Sequence, residues 1–255
     1  MHPHRTRFAN DIVAEWYEPY FGTKQKNPKG AVIICPGAPG LPGARSLDRA
    51  LAKKGYLTVR PSYRGTWESD GQFLKESPHK DIADIIDDLS CSWRLSNLWD
   101  KVEYSYQPMP IIVVGVSFGG PAALLLSNDK RVQKVITVSA VVDWTDESPE
   151  EPMNELSERQ RQVFGQAYRY DEKDWERLEK GMFYQPVSEE KNIDGKKVMM
   201  IHAADDDVVL MPAAKAFAAR IGARWIELPN GGHVSSSVIT KWRMWPRVKK
   251  FLYAQ

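Results

Sequence analysis

The sequence predicts an α/β fold: a mostly parallel central sheet flanked by helices, with a small helical lid insertion. Three observations lead there. Short β-branched runs alternate with amphipathic stretches along nearly all of the 255 residues, the pattern of strands joined by crossover helices. Runs such as Ala31–Cys35 (AVIIC) lack polar alternation, so they read as strands buried on both faces. The rhythm breaks once, over residues 143–192, where strands stop and the chain becomes charged, aromatic and helical.

In order, residues 8–20 supply a weakly patterned antiparallel edge hairpin before the first buried strand. Residues 44–54 (ARSLDRALAKK) have helical spacing and end at Gly55, a C-cap glycine. Residues 56–60 (YLTVR) form the next strand. A helix over 80–98 follows, with Ile82, Ile85, Ile86 and Leu89 on one face. Strands at 111–114 and Val132–Val138 flank a helix at 121–127. Residues 143–192 are too short to hold much core. They read as a lid over the C-terminal end of the sheet, where such folds bind ligands. Residues 1–142 and 193–255 then make one core, completed by a strand at 197–201, a helix at 212–221, a strand at 223–228 and an apolar C-terminal helix ending near Tyr253.

A net charge of +2 lacks the basic field a nucleic-acid binder needs; Lys24, Lys26 and Lys29 read as solvated loop residues. The N-terminal MHPHRTRFANDI has neither the apolar core nor the cleavage site of a signal peptide, and no apolar run is long enough to span a bilayer. A cytoplasmic protein with no membrane partner is the expectation. Cys35 and Cys91, in a predicted strand and a predicted helix, read as buried free thiols.

The chemistry concentrates at Gly115-Val116-Ser117-Phe118-Gly119, which satisfies Gly-x-Ser-x-Gly between a buried strand and a helix. That context lifts a serine hydroxyl above a sheet as a nucleophile, and the helix N-terminus favours a developing anion. A nucleophilic serine needs a base, and the base an orienting carboxylate. Of five histidines, His2 and His4 lie in the ragged N-terminus, His79 in a helix cap region, and His202 at a strand end as a packed residue. His233, in the glycine-rich loop PNGGHVSSS after a strand, is the candidate base. For the acid, IHAADDDVVL offers Asp205, Asp206 and Asp207, only one of which can face the imidazole; Asp143, ending an earlier strand, is an outside candidate. The order serine, aspartate, histidine is that of Gly-x-Ser-x-Gly hydrolases. No ligand cluster accompanies the aspartates, so no metal is expected.

These fragments closely resemble the α/β-hydrolase superfamily over nearly the whole chain, above all its serine aminopeptidase-like and prolyl-oligopeptidase-like hydrolases and related esterases. Where many members carry His-Gly-Gly-Pro-Gly after the first strand, this chain has Pro36-Gly37-Ala38-Pro39-Gly40. The second loop, often Tyr-Arg-Gly-x-Gly-x-Ser-x-Gly, is Tyr63-Arg64-Gly65-Thr66-Trp67-Glu68-Ser69-Asp70-Gly71. Before the acid, His-Gly-x-x-Asp-x-x-Val corresponds to His202-Ala203-Ala204-Asp205-Asp206-Asp207-Val208-Val209. The resemblance implies Asp206 as the acid and the backbone N–H groups of Ala38 and Phe118 as the oxyanion hole. PGAPGLPG lacks the Lys-Ser/Thr of a phosphate-binding loop, and no cofactor is expected.

Two features of the lid bear on substrate. Trp144, Phe164, Tyr168, Tyr170, Trp175, Phe183 and Tyr184 could line a pocket, although most are expected to pack the lid onto the body. Asp146, Glu147, Glu150, Glu151, Glu155 and Glu158 form an acidic run, expected to be mainly solvated. The expected function is hydrolysis of small to medium carboxylic esters through a Ser-His-Asp triad and an acyl-enzyme. An aminopeptidase or oligopeptidase acting on short peptides with the same triad is the alternative. A non-catalytic binding protein is disfavoured because all three triad positions can be filled. The oligomeric state is not legible.

Overall fold

The computed structural model describes residues 3–20, 27–43, 46–91, 93–96, 103–146 and 148–254; His2, Lys24, Lys26 and Glu147 lie outside them. In chain order the strands are β1 (His4–Phe8), β2 (Ile12–Tyr17), β3 (Ala31–Cys35), β4 (Leu57–Pro61), β5 (Trp93–Ser96), β6 (Glu103–Tyr106), β7 (Ile111–Val116), β8 (Val132–Val138), β9 (Val198–Ala203) and β10 (Arg224–Leu228). The α-helices are α1 (Ser46–Lys53), α2 (His79–Ser90), α3 (Gly120–Leu125), α4 (Met153–Phe164), α5 (Glu172–Glu179), α6 (Met211–Ile221) and α7 (Trp245–Leu252).

Eight strands form one sheet in the order β1-β2-β4-β3-β7-β8-β9-β10. The pairs β1/β2 and β2/β4 are antiparallel, and those from β4 through β10 are parallel. This is an α/β-hydrolase architecture with an antiparallel hairpin at one edge. The chain runs outward from β3 to β4, then returns past β3 to β7. The strand order therefore reverses between β3 and β7, opening a crevice beyond their carboxyl ends.

Alternate residues of the buried strands feed two cores. Ile33, Cys35 and Val113 pack with Ile82, Ile85, Ile86 and Leu89 of α2 on one face. Val32, Ile34, Ile112 and Val114 pack with Leu47 and Leu51 of α1 and Val248 and Phe251 of α7 on the other. Each fully buried aliphatic side chain contributes roughly 1.5–3 kcal/mol, so the α2 stripe suffices to dock that helix.

Three expectations need correction. The helix over 80–98 ends at Ser90, whose hydroxyl donates to the Ile86 carbonyl. Beyond Leu89 the apolar helical spacing stops and serines compete for backbone groups. The chain then forms β5, paired with β6 as a separate antiparallel hairpin. Cys91 is consequently exposed, whereas Cys35 is buried, and burial pushes the Cys35 thiol far above its ordinary range. The edge hairpin begins earlier than expected, at His4, whose ring lies 4.4 Å from that of Trp16. No helix among the described residues is long and apolar enough to cross a membrane.

Candidate active site

Ser117 follows β7 directly and opens the 3-10 turn that leads into α3. Its φ is +50°, a left-handed backbone that a serine adopts only when its surroundings impose it. The two flanking glycines make that turn possible. A Cβ on Gly115 would lie 2.5 Å from the Gly119 carbonyl oxygen, and one on Gly119 would collide with the Cys35 carbonyl. The loop after β3 passes against the serine: a Cβ on Gly37 would sit 3.4 Å from Ser117 Cβ and 3.9 Å from its Oγ. Ala38 follows in that loop, and its N–H has no acceptor among the described residues.

His233 arrives from the loop after β10. Its Nδ1 lies 3.1 Å from Asp206 Oδ1 and 3.2 Å from Oδ2. A carboxylate only accepts, so Nδ1 carries the proton, and in the neutral ring the lone pair is on Nε2. The three aspartates divide their tasks. Asp206, its side chain fully buried, faces the imidazole. Asp205 accepts from the N–H groups of Gly231 and Gly232 at 3.1 and 2.9 Å, pinning the loop that carries His233; these bonds hold its exposed carboxyl below the ordinary range. The Asp207 carbonyl accepts from the Ser148 hydroxyl.

Burial alone would raise the Asp206 pKa, but hydrogen bonds from His202, His233, the Val209 amide and Ser139 overcome it, and the carboxyl is held well below the usual range. Oδ1 accepts from Val208 N at 3.1 Å and Val209 N at 2.9 Å. Asp143 instead binds Thr145 and the Gln185 amide, and His233 is not among its partners. Ser139 and His202 were not singled out for the site by sequence. Ser139 has φ +47°, so its hydroxyl turns to the acid while its Oγ accepts from Val234 N at 3.2 Å. The sequence signal for His202 is its place four residues before Asp206, at the histidine of the motif that precedes the acid.

Two clefts meet at Ser117. One is lined by Ala38, Phe118, Val142, Trp144, Met153 and Leu156, with Asp143, Asp146 and Glu151 also facing it. The other is lined by Gly37, Ala38, Leu41, Ser117, His233 and Ser236. The Ser117 hydroxyl and His233 are not hydrogen-bonded to each other; catalytic contacts of this kind are often loose until substrate binds. Of the inserted aromatics, Trp144 alone lines the first cleft, while Tyr168, Trp175 and Tyr184 are buried in packing. The acidic run is split: Glu150, Glu155 and Glu158 are exposed, whereas Asp146 and Glu151 reach the cleft, Glu151 lying 3.7 Å from Arg159.

The family model of the X-Pro dipeptidyl-peptidases (S15 family) matches residues 14–158, more than half of the chain. The chain belongs to this family. The S15 match runs from within β2 through β8 and takes in the Ser117 turn and the start of α4. No curated protein matches the sequence. Among solved structures, acylaminoacyl peptidase from Pyrococcus horikoshii is similar at TM-score 0.62 and 17% identity, over 99% of this chain and 40% of that one. This S15 family member thus spans well under half the length of that peptidase. Est1E from Butyrivibrio proteoclasticus, solved with ferulic acid bound, is similar at TM-score 0.59 and 17% identity, over 97% of this chain and 96% of that one. A serine hydrolase from Xanthomonas campestris, described as without a lid, gives TM-score 0.58 and 13% identity, over 96% and 91%. Likeness at these identities speaks to the fold. Family and fold are those of serine-type hydrolases.

Proposed function

We propose that the protein hydrolyses carboxylic esters of small to medium size, with Ser117 as nucleophile, His233 as general base and Asp206 as orienting acid. The observation that carries the reading is the pairing of His233 Nδ1 with the buried Asp206 carboxylate at 3.1 Å, on a ring that lines the same cleft as Ser117. Ser117 Oγ attacks the acyl carbon as its proton passes to His233 Nε2. The N–H groups of Ala38 and Phe118 are the proposed donors to the oxyanion, each worth about 2.7–4 kcal/mol in systems of this kind. The tetrahedral intermediate collapses, the leaving alkoxide takes the proton from His233, and an acyl-Ser117 ester remains. Water, deprotonated by His233, then attacks that ester; the acid is released and the serine regains its proton. The lining of Val142, Trp144, Met153 and Leu156 suits an apolar acyl or aromatic group.

A second reading, cleavage of short peptides with a free amino terminus, is favoured by Asp146 and Glu151 at the same cleft and by the peptidase name of the family. A panel of p-nitrophenyl esters, aryl esters and aminoacyl anilides separates the two. Ester turnover with poor anilide turnover is expected. Anilide cleavage near about 10⁴ M⁻¹s⁻¹ or above that collapses in an Asp146→Asn/Glu151→Gln variant, while ester turnover survives, would establish the peptidase. Loss of all turnover in Ser117→Ala is expected under either reading.

A further inference from the structure

His202 is buried to 1% exposure, and the steps above leave its imidazole without a task. Its Nε2 lies 2.8 Å from the Val209 carbonyl oxygen and 3.2 Å from Asp206 Oδ2. Both partners only accept, so Nε2 carries the proton and is shared between them. The Trp225 indole stacks on the imidazole, centroids 6.0 Å apart and planes at 22°, which sets the ring's orientation. The two Asp206 oxygens are thus tied from different sides: Oδ1 by the Val208 and Val209 amides, Oδ2 by His202. His233 Nδ1–H straddles both at nearly equal distance. The plane of the carboxylate is fixed by groups other than the histidine it must orient.

We infer that His202 is a positioning residue, holding the Asp206 carboxylate so that Asp206 in turn holds His233 and tunes its basicity. The inference rests on the triad reading above. Around this chain of groups, Asp206 is the charged partner of both imidazoles, and Asp205 points away to the glycine amides. Ser139 and Trp225 contribute neutral contacts. Two imidazole N–H groups share one negative charge. Deleting the His202 donor leaves more of that charge to His233, stabilises the imidazolium and makes the base harder to deprotonate.

The test compares His202→Phe, which keeps a stacked ring but no donor, with His202→Gln, whose amide can donate. For His202→Phe we expect kcat to fall about 10- to 100-fold, the worth of one hydrogen bond to a charged group. KM should change little, and the acid limb of kcat/KM should move upward by about half a pH unit or more. His202→Gln should recover most of kcat and return the limb. An unchanged rate and limb in His202→Phe overturns the inference, and so does a loss that glutamine leaves unrepaired, which would mark a packing role. Nitrogen-15 NMR of the wild-type histidines gives a reading independent of how the variants fold: a His202 proton on Nδ1 rather than Nε2 overturns it as well. Asp206→Asn is measured alongside; if that change is harmless, the triad reading fails, a result distinct from any of these.

Discussion

Gly119 and Asp206 show how single residues set the site. Gly119→Ala would drive a methyl group into the Cys35 and Pro36 carbonyls. Backbone cannot swing aside as a flexible side chain can, so a loss of about 1–3 kcal/mol or more is expected, read from the urea midpoint, together with loss of turnover. Asp206→Asn should lower kcat on the order of 10⁴-fold, the cost of losing an orienting acid. Asp143→Asn should cost far less, since Asp143 serves Thr145 and Gln185; an equal loss at both positions would move the acid. Sequence could nominate Ser117 and His233 from local patterns, glycines around a serine and a glycine loop, whereas the strand end left three aspartates open and only the family resemblance pointed to Asp206. Ser139, Asp205 and His202 act through neighbours brought close by the sheet, and no local spacing announces that. His202 in particular reads as a packed residue until the Asp206 oxygen beside it is seen.

At the scale of elements, strands and helices with strong periodicity were legible, and the breaks were not. Ile82 to Leu89 dictate α2, but nothing as regular marks its end at Ser90 or the β5/β6 hairpin beyond. The second loop shows what a motif does structurally. Arg64 binds Asp11 in the β1/β2 turn at 2.6 Å, and Asp81 and Asp84 of α2 at 2.8 and 2.7 Å, fastening the edge hairpin and α2 to the end of β4. Burial pushes Asp81 up to about 6 despite Arg64. A carboxyl raised on folding binds more protons folded than unfolded between its ordinary value near 3.8 and about 6. Its contribution to stability therefore falls as pH rises through that window and is flat above it. Arg64→Met removes the cation from a buried acid and should cost about 3 kcal/mol at pH 8, the low end for a buried pair because the guanidinium is partly exposed. At pH 5 Asp81 can take a proton, so the penalty should shrink. Urea unfolding of both proteins at the two pH values checks it; a penalty that grows toward low pH would contradict the account.

For the molecule as a whole, the question is what the stretch between β8 and β9 does for the sheet it covers. Its polypeptide is stitched to the second loop: Trp67 N donates to Ala167 O at 2.8 Å, Arg169 N to Gly65 O at 2.8 Å, and Phe73 N to Arg169 O at 2.7 Å. Two of its tyrosines then reach the loops around Ser117. The Tyr168 hydroxyl accepts from Gly40 N at 2.7 Å, beside the loop of Ala38. The Tyr184 hydroxyl donates to the Phe118 carbonyl at 2.7 Å and accepts from Ala122 N at 3.1 Å, behind Ser117. Sequence presents this stretch as a lid whose aromatics mostly pack onto the body, without naming the groups they touch. The contacts argue for a clamp that braces the Ser117 turn. Tyr184→Phe would leave a buried N–H and a buried carbonyl without partners, about 1–3 kcal/mol for each, and would free the Phe118–Gly119 peptide beside Ser117. We expect a lower urea midpoint and a lower kcat on an activated ester, with KM little changed. Tyr170→Phe is the matched control, since among the described residues that hydroxyl bonds only to Ser157 within the same stretch, and it should leave kcat unaltered. Equal behaviour of the two variants would return the stretch to the role of a cover.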